Sequence, residues 1–410
     1  MSHRVLLFGR DIGSLHADRA RLSFSYGEAA LDDPSISPLS VRLPKREEPY
    51  GDPASRAFFE NLLPEEEYRR LTAMSLRISE SNTAGLLGAV GGECAGAVSV
   101  WPAGVDPPTH PRYRDLPDHE LRAMFAVPGD PLLIEAQREG RLSLAGAQAK
   151  LTLRRSGEGW QLPLGGAPAT HILKRTRVTV PHLVENEFFC MRLARAAGLP
   201  VADVEFLALG ISVLVVNRFD RLQLGHDIAR LHQEDFCQAT GTPPQQKYEA
   251  EGGPSLAACA DVLRQHSALP IADLSVLIRW VAFNYLIGNE DAHGKNLALL
   301  YTPDGLRLAP FYDLVCSTVY RGLSRNAAMG IGGERRHAYV ERRHWERFAD
   351  AMQLRWGPLH RLLRESADAV EAAVDDTVKD AVANLGEFAL LQAIERGLRE
   401  RLQKLRQVLA

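Results

Sequence analysis

The chain has 410 residues, too many for one small core and enough for two or three domains. Its 45% apolar and 24% charged content are those of an ordinary globular protein, and a net charge of −3 argues against a dominant nucleic-acid-binding surface. Five cysteines, odd in number and without a CxxC spacing, exclude a disulfide scaffold and a zinc knuckle.

In chain order, the first residues hold no apolar stretch long enough for a signal sequence. Residues 1–105 carry short apolar segments broken by Gly, Pro and Asp, which read as strands and turns, including 86–100, with one or two helices. The clearest helix is A-S-R-A-F-F-E-N-L-L at 54–63, and P-A-G-V-D-P-P-T-H-P at 102–111 reads as a linker. Strands are expected at 142–144, 149–153 and 170–174, then a helix between Pro181 and the breaker Gly198-Leu199-Pro200. Residues 204–216 read as a hairpin of buried strands. After Phe219 the pattern turns helical, through 255–287 and again over 359–408. The apolar stripe of the last helix reads as packing on its own domain rather than as an interaction surface. Arg279 interrupts the best 18-residue apolar run, so no membrane partner is expected and the setting is cytoplasmic, with reduced thiols. An α+β half thus feeds a helical half.

The stretch G-N-E-D-A-H-G-K-N, residues 288–296, ends a strongly apolar run. Asp291 and Asn296 stand five residues apart, and Asp313 follows in A-P-F-Y-D-L-V. Between them L-A-L-L-Y-T-P-D-G-L-R-L-A-P reads as strand, P-D-G turn and returning strand, which brings Asp313 back beside Asn296. This is the order that phosphoryl transfer needs: an aspartate base, then an asparagine and a later aspartate as oxygen ligands for Mg²⁺. Lys174 ends a strand in T-H-I-L-K, where a phosphate-contacting lysine belongs, and Glu187 in the next helix is a candidate to orient it, with Glu185 competing. The turn L-A-G-A-Q-A-K (144–150) precedes Lys174, and backbone N–H groups of Leu144, Ala145, Gly146, Ala147 and Gln148 could wrap an anion. V-V-N-R-F-D at 215–220 sits where a hinge would offer backbone groups to a purine. Alone, Asp291 or Asp313 would read as a surface or turn carboxylate, His293 as a structural histidine and Lys174 as a solvated strand end. Five parts in kinase order outweigh those readings. The candidate catalytic set is Asp291, Lys174, His293 and Lys295, with His293 and Tyr312 also counted beside ATP.

The chain also resembles the HipA family, toxin kinases of bacterial HipBA toxin–antitoxin modules. The likeness runs through P-L-S-V-R-L-P near 38, R-A-F-F-E-N-L-L-P-E at 56–65, S-L-A-G-A-Q-A-K at 143–150, H-I-L-K at 171–174, N-E-F-F-C-M-R-L-A at 186–194, N-R-F-D-R at 217–221, L-H-Q-E-D-F-C-Q-A at 231–239 and the 288–296 cluster. It implies an α+β, two-lobed protein-kinase-like fold: an N-terminal subdomain (1–105), a nucleotide-binding N-lobe (106–219) and an all-helical C-lobe (220–410). By the match Asp291 is the base, Asn296 and Asp313 the metal ligands, and Lys174 the phosphate contact. Asn217, Arg218 and Phe219 form the adenine-side hinge, Asn217 standing where the family often has glutamate, and Asp220 lies near the ribose. The resemblance further implies ATP and Mg²⁺ dependence and autophosphorylation at Ser143. It implies an aminoacyl-tRNA synthetase as substrate, with glutamyl-tRNA synthetase leading. The partner implied is a small helix-turn-helix antitoxin (HipB-like) through which operator DNA is reached. A small-molecule hydroxyl kinase of the same fold and a non-enzymatic co-repressor are the competing functions.

Overall fold

The computed structural model describes residues 2–18, 21–126, 131–146, 148–176, 179–225 and 227–410. The chain forms two compact units, one of Met1–Val178, Leu207–Gln245 and Leu300–Pro303, the other of Thr179–Phe206, Gln246–Leu299 and Asp304–Ala410.

The first unit opens with an antiparallel sheet in the order β3-β2-β1-β4, formed by β1 (Ser2–Leu7), β2 (Arg10–Asp18), β3 (Arg21–Tyr26) and β4 (Val98–Pro102). Helices α1 (Glu28–Asp32), α2 (Asp52–Phe59), α3 (Glu66–Leu76) and α4 (Thr83–Val90) lie between β3 and β4. Val5, Leu15, Phe24, Phe59, Leu87 and Val100 are fully buried in one core there. The helix expected at 54–63 is present as α2 and a 3₁₀ turn over Glu60–Leu62. The strand reading of 86–100 is corrected in its first part. Asn82 caps Gly85 N–H at 2.9 Å and starts α4, a local signal that outweighs the apolar run.

No regular element occupies 103–111, as a linker should leave it. A second antiparallel sheet follows, with β5 (Arg112–Leu116), β7 (Gly159–Leu164), β6 (Lys150–Ser156), β8 (His171–Arg175) and β10 (Ser212–Asn217) in that spatial order. Helices α5 (Asp118–Ala126) and α6 (Pro131–Gly140) precede β6. Leu173 pairs with Leu151 on one side and Val215 on the other, a buried cross-strand row at the sheet's centre. The expected hairpin is β9 (Val204–Ala208) and β10, with Leu209 N–H donating to Ile211 C=O at 3.0 Å in the turn. Two sequence expectations fail here. Residues 142–144 form no strand: Leu142 makes one isolated bridge to Glu93, and Ser143 N–H donates to Glu93 C=O at 2.9 Å. β7 is not among the expected strands at all; its Pro163 lies past the residues that it pairs with β6.

The second unit holds α7 (Leu183–Ala196), α9 (Leu256–His266), α10 (Pro270–Ile287), α11 (Arg342–Ala351), α12 (Trp356–Leu385) and α13 (Ala389–Leu409), the five-residue α8 (Phe236–Thr240) belonging to the first. α10 packs on α9, α12 and α13, and α7 packs on α12. Trp280, Phe283 and Tyr285 of α10 are almost fully buried. By length and composition α10 could cross a membrane, but 61% of it is buried inside the unit, which marks a core helix. All five cysteines are free and buried.

Candidate active site

α10 is stopped by Gly288 at φ +73°, whose N–H closes on Tyr285 C=O at 3.2 Å while Asn289 N–H bonds Asn284 C=O at 2.9 Å. A side chain at this position would meet Thr318 Oγ1 at 2.4 Å, so glycine is required twice over. Arg401 of α13 donates to the last open carbonyls, Leu286 at 2.7 Å and Ile287 at 2.9 Å. The 289–296 segment therefore leaves a buried helix in a fixed direction.

Within the loop the two adjacent acids differ in exposure. Glu290 is 7% exposed, with its backbone N–H on Ser317 Oγ at 2.7 Å, and burial pushes its carboxyl up. Asp291 is exposed, its N–H held by Asn289 Oδ1 at 3.1 Å and its carboxylate receiving Tyr248 O–H at 2.7 Å. A reachable carboxylate is what a general base needs, and Asp291 rather than Glu290 is exposed. His293 is buried, with the Tyr248 ring edge-on at 5.4 Å, and starts a 3₁₀ turn over Gly294–Asn296. Lys295 is buried too, its carbonyl accepting Tyr312 O–H at 2.7 Å.

Strands β11 (Ala298–Thr302) and β12 (Gly305–Leu308) flank the P-D-G turn as expected, and Ala309 N–H returns to Ala298 C=O at 2.9 Å. Phe311, buried, bonds Pro200 C=O at 2.8 Å and Ala202 N–H at 2.9 Å, and so fixes the next turn of chain. Asp313 follows at φ +57°, the left-handed region that non-glycine residues seldom enter. Asn296 Nδ2 lies 3.4 Å from Asp313 Oδ2, and Asn296 Oδ1 accepts His293 N–H at 3.0 Å. A carbonyl oxygen has two lone pairs, so Oδ1 retains one for a cation. This donor set of hard oxygens fits Mg²⁺, which needs few protein ligands when phosphates and water complete its shell. Among the described residues no three His, Cys, Asp or Glu side chains cluster as a closed metal cage. Asn186 of α7 joins this region, with Cys316 N–H on its Oδ1 at 2.8 Å and its Nδ2 on Cys316 C=O at 3.0 Å. Its neighbour Glu187 is 1% exposed, whereas Glu185 is partly exposed with His182 at 3.7 Å.

The remaining candidates lie in the first unit. Lys174 is 5% exposed in β8, between Lys150 of β6 and Leu214 of β10. In the 144–148 turn Gly146 has φ +105°, and a β-carbon would stand 2.5 Å from Lys150 Nζ, which itself donates to Ala145 C=O. Gln148 Nε2 donates to Arg175 C=O at 2.7 Å; Leu144 is half-buried, and Ala147 lies outside the described residues. The N–H of Gly146, expected to cradle an anion, donates to the Glu65 carboxylate at 3.1 Å, and Glu65 N–H donates back to Gly146 C=O at 3.2 Å. Ser143 is fully buried, its hydroxyl donating to Leu62 C=O at 2.7 Å. The E-N-L-L-P-E segment thus latches the turn.

At the hinge Asn217 is exposed and Phe219 half-buried, while Arg218 and Asp220 turn inward. Asp220 accepts from Gly96 N–H at 2.7 Å, Gln233 Nε2 at 2.9 Å and Arg218 Nε at 2.9 Å, so a ribose hydroxyl would compete with internal bonds. Burial opposes its charge, but Arg218 and Arg221 outweigh that and hold it far below the usual carboxylate range. Glu93, wholly buried, takes Arg218 at 3.0 Å, Arg221 at 2.8 Å and Arg230 at 2.7 Å; these guanidiniums likewise overcome burial and depress it. The pattern R-F-D-R was the only sequence trace of this network, and Glu93 and Tyr248 were missed because their partners lie far along the chain.

Comparison with known proteins places a HipA-like C-terminal domain over residues 142–385 and a HipA N-terminal domain over 3–101. Y4mE of Sinorhizobium fredii is 42% identical over 386 residues, 90% of this chain and 91% of that one. The serine/threonine-protein kinase toxin HipA of Shewanella oneidensis is 34% identical over 302 residues, 68% of this chain and 66% of its own. A chain in the solved complex of the Shewanella oneidensis MR-1 toxin–antitoxin system, comprising HipA, HipB and operator DNA, matches with a TM-score of 0.86 at 28% identity. The match covers 99% of this chain and 98% of that one.

Proposed function

This chain belongs to the HipA family of toxin kinases, and we propose from that premise that it phosphorylates a protein hydroxyl with MgATP, Asp291 being the base. Asp291 takes the acceptor's proton as the new O–P bond forms and the bond to the β,γ-bridging oxygen breaks, ADP leaving with that electron pair. Asn296 and Asp313 would hold Mg²⁺, which when bound neutralises phosphate charge. Lys174 is the candidate phosphate contact and the 144–148 turn the candidate phosphate cradle, both within the first unit. The backbone of Asn217 and Phe219 receives the adenine. The observation that carries this reading is the Asn296–Asp313 approach at 3.4 Å across 17 residues, with Asp313 held left-handed.

The finer parts rest on the family. The substrate is an aminoacyl-tRNA synthetase, with glutamyl-tRNA synthetase the leading choice. The partner is a small helix-turn-helix antitoxin, as the HipB and operator DNA of the Shewanella complex suggest, and DNA is reached mainly through it. The compartment is the cytoplasm. Ser143 is an autophosphorylation switch: its hydroxyl is buried against Leu62, so a phosphate there forces the turn out of its latched form. The test incubates the chain with γ-labelled ATP and a bacterial lysate and identifies the labelled bands, then titrates the Ser143-phosphorylated and unphosphorylated forms with MgATP. A labelled synthetase and weaker MgATP binding by the phosphorylated form are expected. Label on other proteins alone would remove the substrate class, and equal affinities would remove the switch.

A further inference from the structure

We infer, on the kinase reading above, that Tyr248 is a positioning residue that sets the carboxylate of Asp291 for proton transfer. Asp291 is exposed, and an exposed aspartate rotates freely about its side-chain torsions unless something holds it. The Tyr248 hydroxyl does so, donating to Oδ1 at 2.7 Å. Oδ2 is then left to face an acceptor hydroxyl, one oxygen anchored and the other reactive.

The tyrosine is itself fixed. Its carbonyl accepts Gly253 N–H at 2.9 Å and Glu251 N–H at 2.9 Å, which close a tight loop. Glu249 N–H donates to Ala328 C=O at 3.0 Å, and Ala328 N–H donates to Glu290 C=O at 2.8 Å, one residue before Asp291. Glu249 Oε2 also accepts Gly330 N–H at 2.6 Å. The loop that carries Tyr248 is thus bonded through Ala328 to the backbone of the catalytic loop, so phenol and carboxylate keep one geometry. The Tyr248 ring lies edge-on to His293 at 5.4 Å, which restrains the ring as well. During transfer the phenol keeps its proton. The acceptor's proton goes to Asp291 Oδ2, and the acceptor oxygen bonds phosphorus as ADP departs.

The test uses the full chain and γ-labelled MgATP, with the lysate protein that the unsubstituted chain labels as acceptor. Tyr248→Phe removes only the hydroxyl. It is expected to lower kcat about tenfold, the scale of a lost hydrogen bond to a charged group, with KM for MgATP within about twofold. Because the hydroxyl acts through Asp291, Tyr248→Phe introduced into Asp291→Asn is expected to cost nothing further. An unchanged kcat, an equal loss in both backgrounds, or a loss of MgATP binding in Tyr248→Phe would each overturn the positioning role. A failure of the unsubstituted chain to transfer any label is a different result: it would sink the kinase reading itself and this role with it.

Discussion

Asp313, the proposed metal ligand, shows at the scale of one residue how a candidate functional position carries an uncommon backbone conformation. At φ +57° most side chains are strained, and Asn and Asp are among the few that tolerate it. Asp313→Asn should therefore keep the fold while losing the charge, whereas Asp313→Ala should add about 1 kcal/mol of backbone strain. Both are expected to abolish transfer and weaken Mg²⁺-dependent ATP binding, and thermal unfolding should separate them, with the alanine variant lower. A second buried acid gives a pH prediction. Glu234 is 1% exposed, and burial pushes its carboxyl from 4.5 up to about 7 despite donors at Ser40, Val41 and Tyr301. Its folded value is raised, so its contribution is complete below pH ~4.5 and is lost as pH rises through about 7, a difference of ~3 kcal/mol. Chemical denaturation of Glu234→Gln between pH 4.5 and 8 should show that slope flattened, and an unaltered slope would assign it to another group. Sequence spacing singled out Asp291 by its five-residue distance to Asn296. It could not reveal Tyr248, which stands 43 residues away in an irregular loop.

Among elements, the helix before the 288–296 loop shows what periodicity reveals and what it hides. The apolar run 274–287 and the glycine after it announce a buried helix and its stop, and α10 ends where they say. Its outer carbonyls are closed by Arg401 from α13, a contact over more than a hundred residues that no local pattern encodes. Arg401→Ala removes a cation and two hydrogen bonds from that C-terminus, at an expected cost of ~2 kcal/mol. The melting temperature should fall, and kcat should fall more than KM rises, because the loop direction is set there. A variant as stable and active as the parent would show the helix end to be self-sufficient. The hairpin over 298–308 was legible from its P-D-G turn. The false strand at 142–144 was not separable from a true one, because three alternating residues fit a latched turn equally well.

For the whole molecule, the sequence division near 219 follows composition, whereas the compact units follow contacts. α7 precedes that point yet packs on α12, and residues 220–245 follow it yet belong with the sheets. Long-range packing of that kind leaves no periodic trace. The family motifs, by contrast, were legible nearly end to end, because each is a contiguous run of residues in the sequence. Asp291 is the proposed base of this kinase. The most direct measurement compares label transfer and MgATP affinity in the unsubstituted chain and in Asp291→Asn. Transfer reduced by about 10²-fold or more with MgATP affinity retained is the expected result, since the group acts on the acceptor hydroxyl. Transfer at the parent rate in Asp291→Asn would contradict the account.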